Sequence, residues 1–194
     1  MATQDERKRA TRTAVIGSAR QLFGNASYAQ VSIDQIAAQA GVAKGAVYHH
    51  FATKADLFEA VLRAVSENVV TAVQSGIAER TEILDAMQAG NRLFFEACAD
   101  PATAQIMLRD GPSVLGWSRW REIDAAYFGG LVRAALAMAM GQSVIAERPI
   151  EPLVVLILGA IADAAIDCAN AEDFAHDAEL YLEALEAMLR GLRT

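Results

Sequence analysis

Cysteine is scarce in this chain of 194 residues: Cys98 and Cys168 are the only two, and both stand in apolar helical text. Two such thiols read as buried, reduced side chains in a cytoplasmic protein rather than as a disulfide framework. Histidine is equally sparse, with His49, His50 and His176 at no spacing that suits a metal. No motif marks a nucleophile and its base, so an enzyme finds no support and no cofactor is implied. The four prolines leave helices uninterrupted, and a hydrophobic content of 54%, much of it alanine, favours helix over strand. No apolar run approaches the ~20 residues that span a bilayer. The start, MATQDERKRATRT, has no apolar stretch behind its charges and so does not read as a secretory signal. No membrane partner is expected. What is left is an all-α chain, long enough for one or two small domains, with no repeat and no low-complexity tract.

The charge is unevenly spread. Residues 1–55 hold seven basic and three acidic side chains, whereas the remainder holds ten and 21. A basic head on an acidic body can steer one end toward phosphate even though the formal net charge is −7. Inside that head lies VSIDQIAAQAGVAKGAVYHHFATK, residues 31–54. Ser32 and Gln35 form a capping box, and Ile33, Ile36, Ala37 and Ala40 make one buried stripe on a short helix. Gly41 ends that helix in a left-handed turn, and Val42 plugs the turn from inside. A second short helix follows, with Val47 and Phe51 inward and Lys44, Gly45, Ala46, Tyr48 and His49 outward. Two short helices on a tight glycine turn make a helix-turn-helix, whose second helix lies in the major groove of DNA. Lys44 reaches a phosphate or a guanine edge, Gly45 and Ala46 allow close approach, and Tyr48 and His49 suit phosphate oxygens or a thymine methyl. Lys54, opening the next helix, suits a further phosphate.

The wording GVAKGAVYHHFATKADLFEAVL closely resembles the DNA-binding signature of the TetR family of one-component transcriptional regulators. The resemblance is strong from about Thr13 to Leu62 and only architectural beyond. It implies contacts to double-stranded DNA through Ser32, Lys44, Gly45, Ala46, Tyr48, His49, His50 and Lys54. The chain departs from the family at Ala43, where Ser or Thr is usual, and so loses a helix cap generally worth ~0.5–2 kcal/mol.

Around this motif the chain divides into a DNA-binding domain over 1–54 and a helical ligand-binding and dimerisation domain over 55–194. Residues 1–9 lack apolar periodicity and read as a mobile basic arm. A first helix runs from about Ala10 to Phe23, and Tyr28 anchors the loop after it. Thr53 and Asp56 cap a long fourth helix that reaches about Ser75 and belongs to both halves. Helices are predicted over Ile83 to Ala99 and from Pro101 to near Arg109, where Asp110-Gly111-Pro112 breaks the chain. Others run from about Gly116 to Met140, from Pro152 onward, and from Phe174 to Leu192, with Leu182, Leu185, Met188, Leu189 and Leu192 inward. The stretch DGPSVLGWSRWREID is similar to ligand domains of some members of the same family. Phe94, Met107, Trp117, Trp120, Tyr127, Phe128 and Met138 are candidates to line an effector pocket, with plain core packing as the alternative for each. Asp163 and Asp167, acids in an apolar helix, either meet a ligand, emerge at the surface or pair with an arginine. Residues 153–162 are apolar nearly all round, so one face needs a partner, and a four-helix bundle from two protomers meets that need. The function that follows is a ligand-responsive regulator, a repressor that binds a palindromic operator as a homodimer and is released by a small, largely apolar effector. An architectural DNA-binding protein without effector and a helical enzyme are the alternatives.

Overall fold

Local side-chain capping sets half of the α-helix starts in the computed structural model, which describes residues 3–193. Helix α1 (Gln4–Asn25) opens on a reciprocal capping box: the Glu6 amide donates to Thr3 Oγ1 at 3.2 Å and the Thr3 amide to Glu6 Oε2 at 2.7 Å. The arm expected over residues 1–9 is therefore helical from Gln4. Its charged residues are good helix formers that need no apolar stripe once the first turn is capped. Residues 1 and 2 of that arm lie outside the described residues. Tyr28–Gln30 form a single 3₁₀ turn, and the Tyr28 ring packs 5.7 Å from Phe23 and 5.3 Å from Phe58. Helices α2 (Ile33–Ala40) and α3 (Lys44–His50) meet at Gly41, whose φ of 68° is the left-handed conformation that glycine adopts without strain. Helix α4 (Lys54–Ile77) starts on the Thr53–Asp56 box, its two bonds 2.9 and 3.0 Å long. Leu57, Phe58, Val61 and Leu62 bury its first half against α1 and the Tyr28 turn, and Val69 and Val73 continue the stripe into the body.

The body follows as α5 (Ile83–Cys98), α6 (Pro101–Ala104), a π-helical stretch (Gln105–Asp110), α7 (Gly111–Leu115), α8 (Trp117–Gly141), α9 (Ile150–Asn170) and α10 (Phe174–Arg190), with no β-strand among the described residues. The expected break at Asp110-Gly111-Pro112 is absent. Pro112 falls in the first turn of α7, where a missing N–H costs nothing, and the helix is instead interrupted at Gly116, with φ of 78°. Gly111 is required for another reason. A Cβ there would lie 2.8 Å from Trp120 Cδ1, so the indole packs directly on backbone.

Helices α8, α9 and α10 form the bulk of the body. Leu158, Ile161, Leu185 and Leu189 face inward, whereas Val155, Leu156, Leu180 and Met188 are exposed. Met188 was expected inward; it points out because Leu185 and Leu189 already fill the inner stripe. Cys98 and Cys168 are buried free thiols, and burial pushes the Cys168 thiol up to about 11. The expectation that nothing in the chain reaches a bilayer's span fails on length and composition, because α8 and α9 are both long and apolar enough. Alanine-rich text raises their hydropathy, yet half of the apolar window of α9 is buried within the fold, as for a core helix.

Candidate nucleic-acid interface and internal cavity

The head presents the outer face of α3 to solvent because Val47, on the opposite face, and Phe51, just beyond the helix, are locked in the core. Ser32 Oγ accepts the Gln35 amide at 3.2 Å, so its hydroxyl is held at the start of α2. Lys44, Gly45, Tyr48 and His49 are exposed, and Ala46 is half-buried. Nothing lies within 4 Å of where a Gly45 side chain would project. Lys44 Nζ bonds Asp34 Oδ2 at 2.9 Å, which raises the ammonium pKa, and the pair is exposed enough for a phosphate to compete. His50 is half-buried against Phe51, and burial, then His49, Lys8 and Arg12, hold its pKa below the usual value. Arg12 also stands 5.2 Å over the Phe51 ring. The basic start of α1 thus runs beside the recognition helix. Ala43 makes no side-chain cap, as its identity dictates.

Lys54 has a different setting from the other seven residues. Its ammonium donates to the Tyr28 carbonyl at 2.5 Å and lies 4.0 Å from the centre of the Tyr28 ring. Burial lowers its pKa while Asp110 opposes that shift. Asp110 Oδ2 in turn accepts the Tyr28 amide at 2.7 Å. Lys54 and Asp110, one from the head's edge and one from the π-helical stretch of the body, therefore clasp the same turn.

Beneath α4 the body holds a partly open cavity of about 330 Å³. Val73 and Ile77 of α4 form one wall, Met87, Phe94, Phe128, Leu131, Ile157 and Ile161 are among the apolar residues of the others, and Arg80, Thr81, Asn91 and Gln142 add polar groups. Of the residues expected there, Phe94, Phe128 and Met138 line it. Met107 and Trp120 instead border a void of about 10 Å³ that shares Phe94, Asp124 and Phe128 with the main cavity. The Trp120 indole is fixed by an N–H bond to the Met107 carbonyl at 2.8 Å. Trp117 is 54% exposed and rests 5.2 Å from Trp120, on the outside. Tyr127 is half-buried away from the cavity, and Asp163 is exposed on α9. Asp167 accepts the Tyr181 hydroxyl at 2.6 Å at the surface. The acid that does face the cavity is Asp124, with one oxygen 2.9 Å from Arg121 Nη1 and a pKa pushed up to about 6 by burial, against which Arg121 pulls down. A signal for it was available: Asp124 stands four residues from both Trp120 and Phe128, on their face of α8.

A capped helix-turn-helix, carried on a helix whose far end walls a cavity, defines a helix-turn-helix transcription regulator with an all-helical body. The chain belongs to the TetR family: residues 15–61 match the family described as bacterial regulatory proteins, tetR family, and residues 84–192 match the tetracyclin repressor-like C-terminal domain. These are transcription regulators and not enzymes. The Transposon Tn10 TetC protein of Escherichia coli is 25% identical over 193 residues, spanning 98% of this chain and 96% of that protein. The crystal structure of a TetR-family transcriptional regulator from Pectobacterium atrosepticum superposes with a TM-score of 0.88 at 29% identity, covering 100% of this chain and 98% of that one. RolR in complex with the ligand resorcinol shares the fold, with a TM-score of 0.78 at 17% identity over 97% of this chain and 95% of its own.

Proposed function

We propose that this chain is a cytoplasmic, ligand-responsive repressor that binds a palindromic operator as a homodimer and leaves it when a small, largely apolar effector fills the cavity. One observation carries the reading. Helix α4 begins on the Thr53 cap just after the recognition helix and ends with Val73 and Ile77 on the cavity wall. A ligand that prefers one position of that helix shifts the separation of the two recognition helices in a dimer, and a mismatch with the groove spacing weakens binding. RolR, of like fold, is known with an aromatic molecule bound, which supports a cavity of this kind taking one. In this reading residues 1–54 bind DNA and residues 55–194 bind the effector and the partner. Lys44, Tyr48 and His49 meet phosphate and base edges, Gly45 and Ala46 give clearance, Ser32 and His50 flank them, and Lys54 acts by holding the Tyr28 turn. Phe94 and Phe128 touch the effector directly; Met107 and Trp120 back them.

Selection of binding sites from a random duplex library, followed by titration of small aromatic molecules against the bound site, tests this. The expected outcome is an inverted repeat whose affinity falls roughly 5- to 150-fold at effector saturation, the range of a ~1–3 kcal/mol coupling. A molecule that saturates the cavity and leaves operator affinity unchanged removes the effector-released repressor from consideration.

A further inference from the structure

Two carboxylates are buried in the body, and only one is accounted for by the fold. Asp110 accepts the Tyr28 amide and faces the Lys54 ammonium, so it ties head to body. Asp124 is 8% exposed, and its only hydrogen bond is the one that Oδ2 accepts from Arg121. Among the described residues no fully buried side-chain oxygen lacks a partner, so the unbonded Oδ1 must reach accessible space. The space beside it is the cavity, which Asp124 lines together with the smaller void under Trp120. Phe94 and Phe128 flank it there, their rings 5.3 Å apart and edge to face. Asp124 is the one carboxylate on a mainly apolar lining, whose other polar side chains are Arg80, Thr81, Asn91 and Gln142. A few placed polar groups in an apolar pocket are the arrangement that orients a ligand.

We propose that Asp124 is the anchor of the effector site, and that the cavity selects uncharged, ring-sized apolar molecules bearing a hydroxyl donor. This rests on the effector reading above. The charge state of the donor follows from Arg121, whose guanidinium already compensates the carboxylate. A cationic group at Oδ1 would give up its hydration for a charge that is already neutralised, and an anionic group there would meet the carboxylate directly. The one other charged side chain on the lining, Arg80, is contributed from just beyond α4. A neutral hydroxyl satisfies Oδ1 and adds no charge. A molecule of the same shape without the donor leaves Oδ1 cut off from water and unpaired, so it is rejected. Burial raises the Asp124 pKa to about 6, which still leaves the group ionised, and thus an acceptor only, just above neutral pH. Size follows from volume. A cavity of ~150 Å³ takes up benzene, so one of about 330 Å³ accommodates a substituted ring or two fused rings.

Calorimetric titration just above neutral pH with 4-propylphenol, 4-propylanisole and 4-propylbenzoate tests the anchor. Wild type, Asp124→Leu, Asp124→Asn and Met87→Trp are compared, the last filling the cavity. Wild type is expected to bind the phenol about tenfold or more tighter than the anisole, with the benzoate weakest. Asp124→Leu is expected to lose that preference by weakening the phenol while keeping the anisole, and retained anisole binding shows that the cavity has formed. Asp124→Asn, which keeps a neutral acceptor, is expected to fall between. Met87→Trp is expected to exclude all three. Equal binding of phenol and anisole by wild type, or a preference that survives Asp124→Leu, overturns the anchor and leaves the effector reading standing as long as Met87→Trp blocks binding. Binding of neither probe by wild type, or equal binding to Met87→Trp, overturns the effector reading and the anchor with it.

Discussion

Lys44 and Lys54 are both cations at the first position of a helix, and their surroundings are opposite. Lys44 is exposed and held only by Asp34, itself exposed, in a pair that is cheap to break. Lys54 is turned onto the Tyr28 carbonyl and ring, with Asp110 behind them. A phosphate-binding cation contributes counterion release, about one unit in the slope of log affinity against log salt. A cation that holds the fold contributes stability instead. Lys44→Ala is therefore expected to lower operator affinity and reduce the salt slope by about one, with an unchanged melting temperature. Lys54→Ala is expected to lower the melting temperature and to leave the salt slope nearly as it was. Fluorescence anisotropy across salt, paired with thermal unfolding, separates them. The reverse pattern would show that Lys54 turns outward to meet DNA.

The legible elements were those whose cause is local. Thr53 with Asp56 and Ser32 with Gln35 are capping boxes that bond as their spacing dictates, and Gly41 takes the left-handed turn that ends α2. The start of α1 rests on an equally local box at Thr3 and Glu6, but apolar periodicity is the wrong signal for a charged first turn. The π-helical stretch Gln105–Asp110 is another matter, because its wide turn is held by partners distant in sequence. Met107 offers its carbonyl to Trp120, Arg109 donates to the Ala169 carbonyl at 2.9 Å, and Asp110 reaches Tyr28. The cavity was partly hidden for the same reason: α4, α5, α8, α9 and α10 all contribute to it, so which acid faces in depends on how the helices are rotated. Asp163 faces out and Asp124 in, although each is an acid in apolar text. The packing of this stretch can be probed at Gly111. A Cβ there would meet Trp120 at 2.8–2.9 Å and the Ile106 carbonyl at 3.2 Å. Gly111→Ala is expected to cost ~1–3 kcal/mol, which for a chain of this size lowers the melting temperature by roughly 2–12 °C. It should also red-shift tryptophan emission as Trp120 is displaced. Gly130→Ala, with nothing within 4 Å, is the control and is expected to be neutral or mildly stabilising.

At the scale of the whole molecule, the excess of basic over acidic side chains is confined to residues 1–55, which suits that end to phosphate, whereas an operator read as an inverted repeat needs two such heads. The exposed side chains of α9 and α10 point to how the second is supplied. Val155 and Leu156 are 63% and 66% exposed, and Leu180 and Met188 are each 54% exposed. Large apolar groups gathered on two adjacent helices are a surface that a second copy covers well, giving a four-helix interface with two-fold symmetry. Such a dimer has to place its recognition helices about 34–36 Å apart to enter successive major grooves. Leu156→Arg separates assembly from folding. In the isolated protomer the new guanidinium would stand in water, so helicity and thermal unfolding should be little changed at low protein concentration. In a dimer it would be buried without a partner, a cost of several kcal/mol. Light scattering is expected to give twice the 20.8 kDa chain mass for wild type and the single mass for Leu156→Arg. The variant should also lose affinity for the inverted repeat while still binding a half-site weakly. Leu158→Arg, only 4% exposed, should by contrast disrupt the protomer itself. Wild type running as a monomer at micromolar concentration, or Leu156→Arg remaining a dimer, would place the partner surface elsewhere.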